Sequence, residues 1–187
     1  MNMLDNLINL LWYIAYHGFY MFIAAVVFGL LINAAENIKK IPFLLRIILT
    51  PISGICAWIS TNILLESFVS LISLFWNIYD SEFNLWFYSI LVQPAFTSYA
   101  FLWAISFMAP TNSKSTTIAN ASLWIALYLY SLYLVVFENF VADAPYLLAA
   151  RDIEIGLFGT FMMYGSAICG LVLAGKKAYE GDLESPF

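Results

Sequence analysis

The chain has 187 residues, of which 63% are hydrophobic and only 10% charged, with a formal net charge of −5 and a mean hydropathy of +0.86. Soluble domains are near half apolar and about a quarter charged, so this composition excludes a soluble fold with one anchor and leaves no room for a separate soluble domain. The acidic balance excludes direct nucleic-acid binding, which needs a basic patch.

Five apolar runs are long enough to cross a hydrocarbon core, which takes about 20 residues of helix. They cover residues 7–32, 51–76, 86–109, 118–140 and 155–174, separated by short breaks at 33–42, 77–85, 110–117 and 141–154. Short connections make successive helices antiparallel neighbours. The expected fold is therefore all-α: a polytopic membrane helix bundle forming one transmembrane domain over residues 1–187. The first run has no Lys or Arg before it and is longer than a signal-peptide core, so it reads as a retained span. Lys39, Lys40, Arg46, Lys114, Lys176 and Lys177 all fall on one side of a five-span chain, with Arg151 alone on the other. The positive-inside rule then gives an N-out, C-in orientation.

In the first span Asn6, Asn9, Tyr13, His17 and Tyr20 lie close to one helical face, and Ala25 and Gly29 are spaced to let another helix approach. His17 is the only histidine, so it reads as a hydrogen-bonded packing residue rather than a haem or metal ligand. Before the second span, a helix from Arg46 to Asp80 would rise about 50 Å against a core of about 30 Å. A break at Pro51 and Gly54 is the expected solution, with residues 41–49 lying along the cytoplasmic interface and Arg46 among headgroups.

The second span carries the chain's most unusual feature. Asn62, Glu66, Ser70, Ser73 and Asn77 follow one another at spacings of four, four, three and four, which places them on one helical face. A polar stripe in an otherwise apolar span must face other helices or water. No Lys or Arg lies in any span to neutralise Glu66, so a protonated carboxyl donating to a neighbouring span is the cheaper state. Asn62, Gln93, Asn120 and Ser131 are the expected partners, Gln93 and Asn120 being the groups on other spans best placed to reach it.

The third span aligns Gln93, Thr97, Ala100 and Ala104, with Pro94 expected to kink the helix and free a carbonyl. The fourth aligns Asn120, Trp124, Tyr128, Ser131 and Glu138. The fifth aligns Gly159, Ser166, Gly170 and Ala174, whose last three form a small-xxx-small run that serves helix contact within one chain or between chains.

Catalytic patterns fail one by one. One histidine allows no HExxH site and no Ser-His pair with a second base, and Gly165-Ser166 lacks the glycine that follows the serine in a nucleophile elbow. Cys56 and Cys169 fall inside spans and make neither a disulfide framework nor a zinc site. The expectation is a protein that is not an enzyme and needs no cofactor or metal. It sits in a lipid bilayer and self-assembles through its small-residue stripes into a homo-oligomer, either a platform or a pore. The exposed cytoplasmic elements, residues 36–46, 110–117 and 176–187, offer Lys39, Lys40, Arg46, Lys114, Lys176 and Lys177 to a cytoplasmic partner. The alternatives are an ion- or proton-conducting channel and a membrane subunit of a larger complex.

In length, all-helical membrane character and lack of catalytic motifs, the chain resembles in outline the KwaA-like membrane component of the Kiwa antiphage defence system. Its richness in Ile, Asn, Phe and Tyr fits an AT-rich bacterial mobile island. The resemblance implies a self-assembling sensor in the bacterial inner membrane that works with a cytoplasmic effector protein, KwaB. It carries over no residue role.

Overall fold

The computed structural model describes residues 3–75, 82–109, 113–140, 149–150, 153–154 and 156–180. Asn77, Asp80, residues 110–112, Arg151 and the tail at 181–187 lie outside the described residues, as do the side chains of Asn6 and Glu138.

The chain runs through α1 (Met3–Glu36), a short 3-10 turn (Ile38–Lys40), α2 (Phe43–Ser73), α3 (Glu82–Phe87), a π-helical segment (Tyr88–Val92), α4 (Gln93–Met108), α5 (Ser113–Phe140) and α6 (Gly156–Glu180). Five stretches are long and apolar enough to span a membrane: Leu7–Glu36, Phe43–Ser73, Tyr88–Met108, Lys114–Phe137 and Phe158–Ala178. Among the described residues the only strand pairing is a two-rung antiparallel one, of Ala149 with Glu154 and Ala150 with Ile153.

α2 corrects the expected break, because it continues through Pro51. Proline removes one intrahelical donor, and hydroxyls on either side tie this turn together. Thr50 Oγ1 donates to Arg46 O at 2.7 Å and reaches Met108 O at 3.0 Å. Ser53 Oγ donates to Thr50 O at 2.8 Å and reaches Ala104 O at 3.3 Å. Arg46 has a partner within the chain: its Nη2 donates to Ala109 O and satisfies a carbonyl at the end of α4. An unbroken α2 rises about 46 Å, longer than a hydrocarbon core of about 30 Å.

α4 is the central helix, with α2 and α6 against it, α5 on α4 and α6, and α1 outside on α2. The buried cluster of Leu102, Ala121, Leu171 and Ala174 joins α4, α5 and α6, ringed by Tyr99, Phe101, Trp124, Ile125 and Tyr128. The α6 small-residue run is used within the chain. A Cβ on Gly170 would overlap the Ala95 carbonyl, Ser166 Oγ donates to Leu91 O, and Ala174 is fully buried. Ala104 is likewise buried and Ala100 half-buried. On α1 only Ala24 is buried among the described side chains; Ala25 and Gly29 face outward, with open space around Gly29. Of the three small-residue stripes, then, those on α4 and α6 are consumed inside one chain and only that on α1 is left over.

The interior is rich in hydroxyls while the outside is apolar. Thr50, Ser53, Ser60, Thr61, Ser67, Thr97, Ser98, Ser106, Thr117 and Thr160 are all buried. Each hydroxyl in a membrane interior needs a partner, and a carbonyl one helical turn back supplies it for Thr61 (Ala57 O, 2.8 Å) and Ser106 (Leu102 O, 2.8 Å). Thr117 Oγ1 donates to Ser106 Oγ at 2.7 Å, pinning the start of α5 to α4.

Candidate functional site

The π-helical segment sets up the site. Its wide turn brings Gln93 N to Tyr88 O in place of the usual i−4 carbonyl, immediately before Pro94, which has no N–H to give. The irregularity expected at Pro94 thus takes the form of a widened turn, Tyr88–Val92, running directly into α4. The Leu91 carbonyl in this stretch is taken by Ser166 Oγ. The same turn places Ser89 and Gln93 opposite α2.

There Gln93 Nε2 donates to Asn62 Oδ1 at 2.8 Å and to Glu66 Oε1 at 3.3 Å. Asn62 in turn donates through Nδ2 to Trp58 O at 3.0 Å. The expected meeting of Glu66 with Gln93 is present, with one change: the carboxyl accepts from the carboxamide, so this bond asks for no carboxyl proton. Trp58 is at the middle of α2, and Glu66 lies eight residues further, roughly 12 Å along the axis.

These groups line a cavity of about 410 Å³. α2 contributes Trp58, Asn62 and Glu66; the π segment contributes Ser89; α4 contributes Gln93, Pro94, Thr97 and Ser98. Tyr128 of α5 and Met163, Tyr164 and Ala167 of α6 close it. Ser98 Oγ and Tyr128 OH are 3.3 Å apart, and the Tyr128 and Tyr164 rings meet edge to face with centroids 5.7 Å apart. A second cavity of about 310 Å³ shares Trp58, Ser98 and Tyr128 with the first and is otherwise lined by Ile55, Phe101, Trp124 and Leu171. A third, about 140 Å³, continues toward Thr50, Pro51, Ile105 and Asn120. One groove thus follows α4 between α2 and α5, polar around Glu66 and aromatic in its middle.

Asn120 corrects the other half of the expected seam. It lines the far cavity, its Nδ2 donating to Thr116 O at 2.9 Å, so it is not a partner of Glu66. Ser131 lines none of the three cavities. Ser70 and Ser73 lie past the cavity, where Ser73 Oγ donates to Ser70 O at 2.6 Å and Tyr13 OH donates to the same carbonyl at 3.2 Å. His17 packs its ring against Tyr13 and Tyr16, with centroids 4.4 and 5.2 Å away. Trp58, Ser89 and Tyr164 were not singled out by spacing. They join the site through inter-helix register, although the Gln93-Pro94 pair inside an apolar run is a local signal of irregular helix beside a polar group.

At the opposite end of the bundle, α1 finishes, α2 begins, α4 finishes and α5 begins, held by the Arg46–Ala109 and Thr117–Ser106 bonds. α6 runs parallel to α4, as Ser166 on Leu91 and Gly170 on Ala95 require, so its C-terminus arrives there too. Lys39, Lys40, Arg46, Lys114, Lys176 and Lys177 therefore share one end. They are not equally available. Lys39 and Lys40 are exposed, Lys40 Nζ donating to Asn37 Oδ1 at 2.9 Å. Lys176 pairs with Glu180 at 3.7 Å, and Lys177 Nζ lies 5.8 Å from the Tyr99 ring centre. Among the described residues, no three His, Cys, Asp or Glu side chains converge. Comparison with protein-family models, curated proteins and solved structures finds no match to this chain.

Proposed function

We propose that this chain is a non-enzymatic integral membrane protein that assembles with itself and acts as a sensor or scaffold, recruiting a cytoplasmic partner at its cationic end. The observation that carries the reading is the gathering of six cations at one end of the bundle. By the positive-inside rule that end is cytoplasmic and the N-terminus is outside. In the Kiwa-like reading the membrane is the bacterial inner membrane, the setting is antiphage defence, and the partner is the soluble effector. The cleft around Glu66 is the sensing element in this scheme, and α4 links it to the cationic end. Copurification from native membranes tests the recruitment: one cytosolic protein is retained by the wild-type chain and lost on charge reversal at Lys39 and Lys40. Recovery of no partner, with those variants fully functional, overturns it.

A second reading is ion or proton conduction by an oligomer, favoured by the three cavities in file along α4. The apolar middle cavity argues against a wetted path through one subunit. Flux in reconstituted liposomes that falls in Glu66→Gln supports this reading, and tight liposomes reject it. A place as membrane subunit of a larger complex predicts several copurifying membrane proteins instead.

A further inference from the structure

In the cleft around Glu66 the two carboxamides and Thr97 donate within the wall. Asn62 Nδ2 goes to Trp58 O, Gln93 Nε2 to Asn62 Oδ1 and Glu66 Oε1, and Thr97 Oγ1 to Gln93 O at 2.9 Å. What distinguishes the wall for an occupant is therefore its charge. Among the described residues Glu66 is the one acidic side chain in its lining, and no described Lys, Arg or His lines it. An anion would meet like charge there; a cation would meet the carboxyl and carboxamide oxygens.

Two further observations narrow the class. Trp58, Tyr128 and Tyr164 supply aromatic surface beside the carboxyl, and ring faces attract ammonium groups, most strongly where water is excluded. Ser89 also lines the cavity; it is 8% exposed, and its Oγ has no hydrogen-bond partner among the described residues. The adjoining chamber, lined by Ile55, Phe101, Trp124 and Leu171, suits an apolar body. A bare metal ion would leave that chamber empty and would want more hard oxygen ligands than one carboxyl provides.

We infer that the paired chambers bind an amphiphilic organic cation, with its ammonium against Glu66 and Trp58 and its apolar body in the Trp124 chamber. Each chamber is of the size usual for small-molecule sites, about 300–1,000 Å³. The inference stands on the cleft alone and does not require a cytoplasmic partner. The ammonium can come from a free amphiphile or from a lipid headgroup, and the assay separates them.

The test is equilibrium binding of radiolabelled hexyltrimethylammonium to the full chain in phosphatidylglycerol nanodiscs. Saturable binding is expected, weakened about tenfold or more by Glu66→Gln, which keeps an acceptor for Gln93 and removes the charge. Trp58 is 46% exposed, so Trp58→Leu removes little packing and should weaken binding several-fold. The uncharged tert-butyl isostere of the probe should not distinguish wild type from Glu66→Gln. Competition on replacing half the lipid with phosphatidylcholine identifies a headgroup as the source, and its absence identifies a free amphiphile; both presuppose the site. No saturable binding, or equal binding by wild type, Glu66→Gln and Trp58→Leu, overturns the inference. Should Glu66→Gln fail to fold, Trp58→Leu and the isostere decide it.

Discussion

Gln93 Nε2 donates to Glu66 Oε1 at 3.3 Å and so joins α4 to α2 in the polar half of the groove. Because the carboxyl is the acceptor, its shape matters more to the fold than its charge. Glu66→Gln should change unfolding stability in detergent by less than about 0.5 kcal/mol, whereas Glu66→Leu should cost about 1 kcal/mol, in the range of inter-helix hydrogen bonds in membranes. Equal losses in the two variants would show that the charge, not the acceptor, holds the helices.

Gly170 and Gly165 are five residues apart on α6 and should respond in opposite ways. A Cβ at Gly170 meets the Ala95 carbonyl, which belongs to backbone and cannot step aside, while nothing lies within 4 Å of one at Gly165. Gly170→Ala should destabilise by about 1–3 kcal/mol. Gly165→Ala should be neutral or stabilising by up to about 1 kcal/mol, since alanine is the better helix former. Thermal unfolding in detergent reads both. Gly29→Val should leave the monomer's unfolding unchanged and lower the mass of the solubilised particle, because the α1 stripe is the one small-residue face not used within the chain.

How much of this was legible in the sequence differs by element. The five spans were, because twenty-odd apolar residues leave few other readings, and so was the Glu66–Gln93 meeting, because both side chains interrupt spans adjacent in the chain. Asn120 misled: its polarity suggested a seam partner, but register along α5 sets it at the Pro51 end, and register between helices is not written in one helix's periodicity. The true buried face of α2, Thr50-Ser53-Ala57-Ser60-Thr61-Ser67, lies one step round from the Asn62-Glu66 stripe. Small hydroxyl residues look unremarkable in hydropathy, yet they are what lets α2 close on α4. Pro51 alone signals a break by its chemistry, while the bridges of Thr50 to Met108 and Ser53 to Ala104 depend on contacts between helices.

That bridging gives a third expectation. If α2 is continuous, Pro51→Ala restores an intrahelical donor without disturbing a hinge, and stability should hold or rise, by up to about 3 kcal/mol on helix propensity. Thr50→Val should cost about 1 kcal/mol by removing the bonds to Arg46 O and Met108 O. Loss of folding in Pro51→Ala would mean that the proline bend is required.

Arg46 and Lys39 separate structural from docking cations. Arg46→Leu removes the donor to Ala109 O and should lower unfolding stability by about 1–3 kcal/mol, the range for a charge-assisted bond. Lys39→Glu, at an exposed position, should leave stability within about 0.5 kcal/mol and act only on partner retention. Partner loss in Lys39→Glu accompanied by unfolding would remove it from the docking set.

The claim underlying the whole account is that the cationic end faces the cytoplasm while the Glu66 end faces outward, and single-cysteine accessibility in intact cells tests it most directly. In a Cys56→Ser, Cys169→Ser background, exposed Glu36 at the cationic end and Phe83 at the other are changed one at a time to cysteine and treated with a membrane-impermeant maleimide. The account predicts labelling of Phe83→Cys in intact cells and of Glu36→Cys only after permeabilisation. The reverse pattern would contradict it, because it would place the docking cations outside the cell.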